Sequence, residues 1–308
     1  MKQRYALLLG CALVGLTGGP VLAGGFAAGG SFSAPGYGAR AWGMGGAAIA
    51  FGSDESSSFW NPALLALLDR DRVGLSYIDL VPGTDAQQSY LAYGRIIKRG
   101  PAEAPGLEFA QHAAGIIYGN LSLELSGGQT HTENTVRLAY AYAPQHFVSV
   151  GVAFSVLFSS SDIANFGSSG TSLDAGMRMA FLDDVTVAAV IRNAFSQISF
   201  DDNLSFQLPR FFTLGVAYDA TDALTVEGDV VTGFGGMSRL VAGGEYMLFS
   251  DVLALRAGLA AITAGETRSV LHFGLGARLG RLRLDYNANL DDEDAFGDTH
   301  RFALGIGI

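Results

Sequence analysis

Apolar and polar residues alternate along most of this chain with a period of two. The clearest runs lie at the C-terminal end. From Leu271 to Leu279 the odd positions are Leu, Phe, Leu, Ala and Leu, and the even ones are polar or glycine. Leu282, Leu284, Tyr286 and Ala288 alternate with Arg283, Asp285, Asn287 and Asn289, and Phe302, Leu304, Ile306 and Ile308 share a last face. Successive strand side chains point to opposite faces, so this period predicts strands. Similar runs start near Arg72, Gln88, Thr135, Phe147, Ser172, Val185, Phe211, Ala223, Arg239 and Val252, and one more falls between Leu107 and Ser126. The total is about 14, each near the roughly 9–11 residues with which a tilted strand crosses a bilayer.

The connections carry a second pattern. Tight turns are predicted at 143–145, 182–184, 219–222, 249–251 and 279–280. They alternate with longer polar links at 159–170, 193–208, 263–268 and 291–298. Short turns on one rim and long loops on the other are the asymmetry of an outer-membrane barrel, with both termini on the short-turn side. The expected fold is therefore all-β: a transmembrane antiparallel β-barrel.

One stretch breaks the period. Gly38 to Leu68 reads GARAWGMGGAAIAFGSDESSSFWNPALLALL, rich in small residues and then polar, with a helical turn predicted over 63–68 after Asn61-Pro62. It is expected to be a small N-terminal plug or hatch segment in the lumen. Ahead of it, Lys2 and Arg4, an apolar run from Tyr5 to Leu16 and Val21-Leu22-Ala23 form a secretory signal pattern. The predicted organisation is a signal peptide over 1–23, a leader and plug over 24–71, and the barrel over 72–308.

Composition agrees with a membrane wall. Only 16% of residues are charged while 49% are apolar, against about 25% charged in ordinary soluble domains. Beyond the N-terminus no apolar run reaches the roughly 18 residues of a spanning helix. The formal net charge of −10 excludes a nucleic-acid partner, which requires a basic face. Cys11 is the only cysteine, so there is neither a disulfide framework nor a thiolate metal site.

Charged residues on the predicted strands keep to the polar phase. Arg137, Asp174, Arg178, Arg192, Glu227, Asp229, Glu245, Arg256, Arg278, Arg283, Asp285 and Arg301 all fall there. Turning Arg or Lys toward lipid at mid-depth costs about 2–4 kcal/mol, so these side chains are expected in the lumen. They would pair across it or line a solvated pore, and both readings stand. Chemistry has no foothold: the five histidines are scattered without ligand spacing, and no nucleophile elbow occurs. Asp201-Asp202 and the acidic run at 291–294 read as solvated loops. No enzyme activity, cofactor or metal is expected. Trp42, Met44, Phe51, Phe59, Trp60, Asn61 and Pro62 are the candidate contacts for an apolar ligand. They would equally serve as the anchors that seal the plug.

Several motifs carry a resemblance. Gly38-Ala39-Arg40, Gly43-Met44-Gly45-Gly46 and Trp60-Asn61-Pro62-Ala63 resemble the start of PorV/PorQ-type outer-membrane proteins, within the wider FadL-like barrel superfamily. Arg192-Asn193, Leu208-Pro209-Arg210, Leu214 to Tyr218, Leu253 to Gly258, Phe273 to Gly276, Leu282 to Tyr286 and Asp298 to Phe302 extend it over most of the chain. The resemblance implies a bacterial outer-membrane protein in contact with lipid, and one of two functions. The first is protein export of the type IX secretion kind or envelope scaffolding, with secretion components or secreted proteins as partners. The second is passive transport of long-chain fatty acids or other hydrophobic small molecules. In the second group the Asn-Pro-Ala of the hatch corresponds to Asn61-Pro62-Ala63.

Overall fold

The computed structural model describes residues 32, 36–52, 54–80, 86–100, 110–125, 128–162, 167–200, 205–233, 238–264, 266–290 and 299–308. The signal pattern over 1–23 and the acidic run at 291–294 lie outside them.

Fourteen long antiparallel strands close into a barrel. They are β1 (Arg72–Asp79), β2 (Gln87–Gly100), β3 (Ala110–Leu125), β4 (Gln129–Gln145), β5 (Val148–Ser161), β6 (Ser168–Ala180) and β7 (Val185–Phe200). After a two-residue strand β8 (Ser205–Phe206) come β9 (Phe211–Thr221), β10 (Leu224–Gly233), β11 (Ser238–Leu248), β12 (Leu253–Ala264), β13 (Glu266–Leu279), β14 (Leu282–Leu290) and β15 (Thr299–Gly307). Each strand pairs with its neighbour in sequence, β7 with β9 across β8, and β1 with β15 closes the ring. The strand expected between Leu107 and Ser126 is β3. No helix among the described residues is long and apolar enough to cross a membrane.

The two faces of the wall invert the order of a soluble protein. Outward positions hold exposed apolar side chains, such as Leu91, Leu138, Leu214, Leu240, Leu275 and Phe302. Inward positions hold buried polar ones, so Leu240 is 58% exposed where Glu245 of the same strand is 4% exposed. An apolar band turned outward belongs in lipid.

The loops are shorter than the polar composition predicts. β5 runs on to Ser161 and β6 begins at Ser168, so half of the 159–170 link is ladder. β7 extends to Phe200 and pairs with β8, and only residue 265 separates β12 from β13. Serine and threonine sustain backbone pairing where water replaces lipid on the outer face, so polar composition alone does not end a strand. The turn expected at 143–145 lies at 146–147 instead, because a register shift between Tyr142 and Gln145 lengthens β4. The rim asymmetry has two exceptions. Residues 101–109 connect strands on the short-turn rim, and 126–128 do so on the opposite one.

Candidate functional site

Residues 36–68 pack against the inward faces of strands all round the ring. They form a short helix α1 (Ala39–Gly43), a turn over 44–46, a second short helix α2 (Ser57–Trp60) and a 3-10 helix over Pro62–Leu67. Asn61 shapes the last of these. Its Oδ1 accepts from the Ala63 N–H at 3.0 Å, and Pro62 at the first helical position has no N–H to satisfy. Its Nδ2 donates to the carbonyls of Ile49 at 2.8 Å and Met177 at 3.2 Å, tying this turn both to its own segment and to β6. Leu65, Ala66 and Leu68 then pack on small inward residues of β3, β4 and β5.

Polar wall residues take up the remaining backbone groups of the segment. The Glu227 carboxyl accepts the N–H groups of Ile49, Ala50 and Phe51 at 2.8, 2.7 and 3.0 Å. Asp229 accepts that of Ala48 at 3.2 Å. Arg239 donates to the Gly45 carbonyl at 2.5 Å, Arg137 to that of Ser58 at 3.1 Å and Arg192 to that of Trp60 at 3.2 Å. A segment poor in regular structure leaves many backbone groups to satisfy, and the strand charges satisfy them.

A closed circuit of alternating charge joins segment and wall. Arg40 binds Glu245 through two bonds of 2.9 and 2.7 Å. Glu245 meets Arg256 at 2.5 Å, Arg256 meets Asp285 at 2.8 Å, and Asp285 meets Arg283 at 2.7 Å. Arg283 reaches Asp54 at 3.5 Å, and Asp54 reaches Arg40 at 3.9 Å. The Asp285 contacts are ion pairs by distance, without the alignment of hydrogen bonds. Glu55 hangs from this circuit on Arg283 at 2.8 Å. Three arginines already face Asp54, Glu245 and Asp285, so Glu55 is the surplus anion. Burial pushes its carboxyl up to about 7, against the pull of Arg283. Burial acts on Asp54 in the same sense, but Arg283 and Arg40 outweigh it and bring that carboxyl down to about 2.

Inward glycines mark where the segment's backbone touches the wall. A Cβ at Gly243 would lie 2.2 Å from the Met44 carbonyl oxygen, and one at Gly258 would lie 2.2 Å from the Gly45 nitrogen. Gly274 approaches Gly43 in the same way, and Gly151 and Gly176 lie under Asn61, Pro62 and Ala63. The motif Gly43-Met44-Gly45-Gly46 is thus matched by a lane of wall glycines on β11, β12 and β13. Gly45 and Gly46 also have φ of 72° and 87°, which side-chain-bearing residues rarely adopt.

The aromatic candidates divide into two groups. Trp42 and Trp60 are buried edge to face, 5.8 Å between ring centroids, and their indole N–H groups donate to the carbonyls of Gly36 and Tyr37. Arg301 and Arg239 lie 4.5 and 5.2 Å from the Trp42 ring. Met44 is buried under the glycine lane, and Phe51 is half-buried beside Arg40 at 4.6 Å. Phe59 differs. It is half-buried and, with Tyr37, Arg137, Asp174, Arg192 and Phe211, lines a cavity of about 70 Å³. Of the strand charges, Arg178 is half-buried and donates to Thr186 near the short-turn rim. Arg278 is exposed at that rim and does not reach the segment. Arg239, Arg40, Asp54 and Glu55 join the interior network although strand phase or position had not singled them out. Arg239 shares the inward phase of Val241, Gly243 and Glu245, and that phase would have found it.

Beside the cavity the wall is interrupted. β7 and β9 pair from Val185↔Tyr218 up to Arg192↔Phe211 and then part. On the other side of β7, Asp174 alone faces Arg192, Asn193 and Ala194, since the ladder jumps from Leu173↔Phe195 to Ala175↔Ile191. Asn193 takes a φ of 53° in this bulge, a conformation that asparagine tolerates better than most residues. Side chains clasp the parted seam. Asn193 Nδ2 donates to the Pro209 carbonyl at 2.8 Å, and the Leu208 N–H donates to Ser196 Oγ at 3.0 Å. Arg192, Asn193, Leu208 and Phe211 belong to both seam and cavity. Among the described residues no cluster suited to a metal ion occurs.

No family model matches this chain, and no curated protein matches it. Solved structures do. The chain is similar to the CymD monoaromatic hydrocarbon channel, with 13% identity over 88% of this chain and 96% of that one and a TM-score of 0.64. It is similar to the P. putida toluene transporter TodX, with 12% identity over 89% and 99% and a TM-score of 0.64. The Ralstonia pickettii toluene transporter TbuX follows, with 14% identity over 90% and 100% and a TM-score of 0.53. At such identities the likeness shows the fold alone, a barrel architecture shared with these channels. The structures named are a hydrocarbon channel and two toluene transporters, and none of the three is a PorV/PorQ-type protein or a secretion component.

Proposed function

We propose that this protein is a passive outer-membrane channel for small hydrophobic molecules, with residues 36–68 as its plug or hatch and no enzymatic activity. The observation that carries the reading is the coincidence of the Phe59 cavity with the parted seam between β7 and β9. A molecule admitted from the long-loop side would meet aromatic side chains above the plug. It would leave sideways into lipid where side-chain clasps replace the backbone ladder. Breaking two such clasps costs about 1 kcal/mol each, far less than parting a full strand pair. The exposed apolar band and the shared fold support an outer-membrane location, with the short-turn rim facing the periplasm. In this reading residues 1–23 are a cleaved signal, 24–71 leader and plug, and 72–308 the conducting wall.

The test is flux of labelled toluene and of a labelled long-chain fatty acid into proteoliposomes. Wild-type protein should give saturable flux of at least one of them. Ser155→Trp, which fills the cavity from β5, should abolish it while the heat-modifiable mobility of the folded barrel persists. Flux equal to that of protein-free vesicles, together with co-purification of export components, would overturn the proposal in favour of a scaffold.

A further inference from the structure

We infer that Asp174 is a positioning residue that couples the plug to the seam between β7 and β9, so that neither opens without the other. This deepens the channel reading and rests on it.

The first observation is an unbroken chain of contacts from plug to seam. Arg137 on β4 donates through Nε to the Ser58 carbonyl of the plug at 3.1 Å, and through Nη1 to Asp174 Oδ2 on β6 at 2.7 Å. Asp174 Oδ1 accepts the Asn193 N–H at 2.8 Å, and Asn193 Nδ2 donates to the Pro209 carbonyl across the seam at 2.8 Å. The plug is thereby joined to the far lip of the seam. A second tie runs beside this chain, since Arg192, next to Asn193, donates to the Trp60 carbonyl at 3.2 Å.

The second is the place of Asp174 in the wall. Where the ladder jumps, the Asn193 N–H is taken by the Asp174 carboxyl and not by a strand carbonyl. Arg137, Asp174 and Asn193 are all buried. A buried N–H must be satisfied, so the bulge depends on where this carboxyl points, and the Arg137 guanidinium sets that direction. Withdrawing Ser58 leaves Arg137 free to turn. The charge that orients Asp174 toward the bulge goes with it, and the clasp on Pro209 loosens.

The third is size. The cavity beside Asp174 measures about 70 Å³, and a benzene-binding cavity measures about 150 Å³. It must enlarge before even one ring passes. Its β4 and β5 walls are paired to neighbours on both flanks and hold their place. The lining outside any ladder is Phe32 of the leader, Phe59 of the plug and Leu208 beside the seam. The chain through Asp174 joins the last two, so one movement widens the cavity from both sides.

The test locks one element and reads the other. Ser196→Cys with Leu208→Cys places a disulfide across the seam, where the Leu208 N–H and Ser196 Oγ already meet at 3.0 Å. Cys11, the only native cysteine, falls in the signal pattern. Hydrogen exchange of the Ala48 to Phe51 amides in the detergent-solubilised barrel, followed by mass spectrometry, reads even rare openings of the plug. Exchange should be at least about tenfold slower in the oxidised than in the reduced protein, within the roughly 5–150-fold range of coupling between sites. Asp174→Asn keeps an acceptor for Asn193 but loses the charge that holds Arg137, and should abolish that difference. Arg137→Met should abolish it from the plug side. A merely structural role would speed exchange in both redox forms and leave their ratio standing. Equal exchange in the two redox forms of the parent, or a ratio that survives both substitutions, overturns the inference. Toluene flux through the reduced parent separates two failures: with flux the inference alone has failed, and without it the channel reading has failed too.

Discussion

Glu227 is the point at which the segment over 36–68 is most economically detached. One carboxyl receives three consecutive backbone N–H groups, and Asp229 receives the fourth. Glu227→Ala orphans three buried donors at about 1–3 kcal/mol each, so several kcal/mol of docking free energy disappear. Glu227→Gln keeps one carbonyl oxygen but turns an amide NH₂ toward the donors, at a cost of about 1–3 kcal/mol. A loss of about 3 kcal/mol raises the released population roughly 10²-fold, since 1.4 kcal/mol is tenfold. Single-channel conductance in planar bilayers is the assay. Brief openings should be rare in wild type, more frequent in Glu227→Gln and dominant in Glu227→Ala. The circular-dichroism signal of the barrel should stay constant. Silent traces from Glu227→Ala with unchanged thermal stability would show that these bonds do not hold the segment, and the argument would fall.

Two further expectations test other contacts of the segment. Gly258→Val places a side chain where the backbone of Met44 and Gly45 already sits. Overpacking of this kind costs about 1–3 kcal/mol, and conductance should rise, whereas Gly244→Val on the outward face should change nothing; equal behaviour of the two would refute the mould. The second concerns pH. Glu55 holds its proton to about 7 when docked against an ordinary value of 4.5, so its contribution favours docking below about pH 4.5 and fades as pH rises to about 7. Opening should therefore increase from pH 5 to pH 8 and be flat over that range in Glu55→Gln, and the opposite slope in wild type would sink the assignment. Asp54 has the reverse sign, and its support is lost only below about pH 4, as pH falls toward about 2.

Strand number, closure and the direction of most charges were legible because each rests on a local period. Lipid penalises a charge wherever it stands, so Glu227, Glu245 and Arg283 declare their face without reference to any partner. What a residue meets across the lumen is not local. Nothing adjacent in sequence couples Arg40 to Glu245, 205 positions away. Nor does anything say that Phe59 faces a cavity while Trp60 beside it is sealed. The bulge at Asn193 escaped for another reason: polar residues from 193 to 208 look alike whether they continue a strand or leave it. The glycines are a readable signal as well. Their position in the inward phase of β11 to β13 outlines the path of the segment as clearly as the charges do.

The close fit between glycine lane and backbone also bears on how the chain folds. The segment is made first, but its partners on β10 to β14 follow some 180 to 230 positions later, from Ala48 with Asp229 to Arg283 with Glu55. The closing pair of β1 with β15 is equally remote in sequence, as the bond from Ser76 to the Phe302 carbonyl shows. Contacts so distant repay chain entropy only after the intervening loop has closed. Early strands therefore meet only part of the segment, through Ser58, Asn61, Leu65, Ala66 and Leu68, and the last ones add its charge circuit and glycine lane at the moment the ring shuts. Closure and filling become a single cooperative event, and a barrel that closed empty would be a different and less stable molecule.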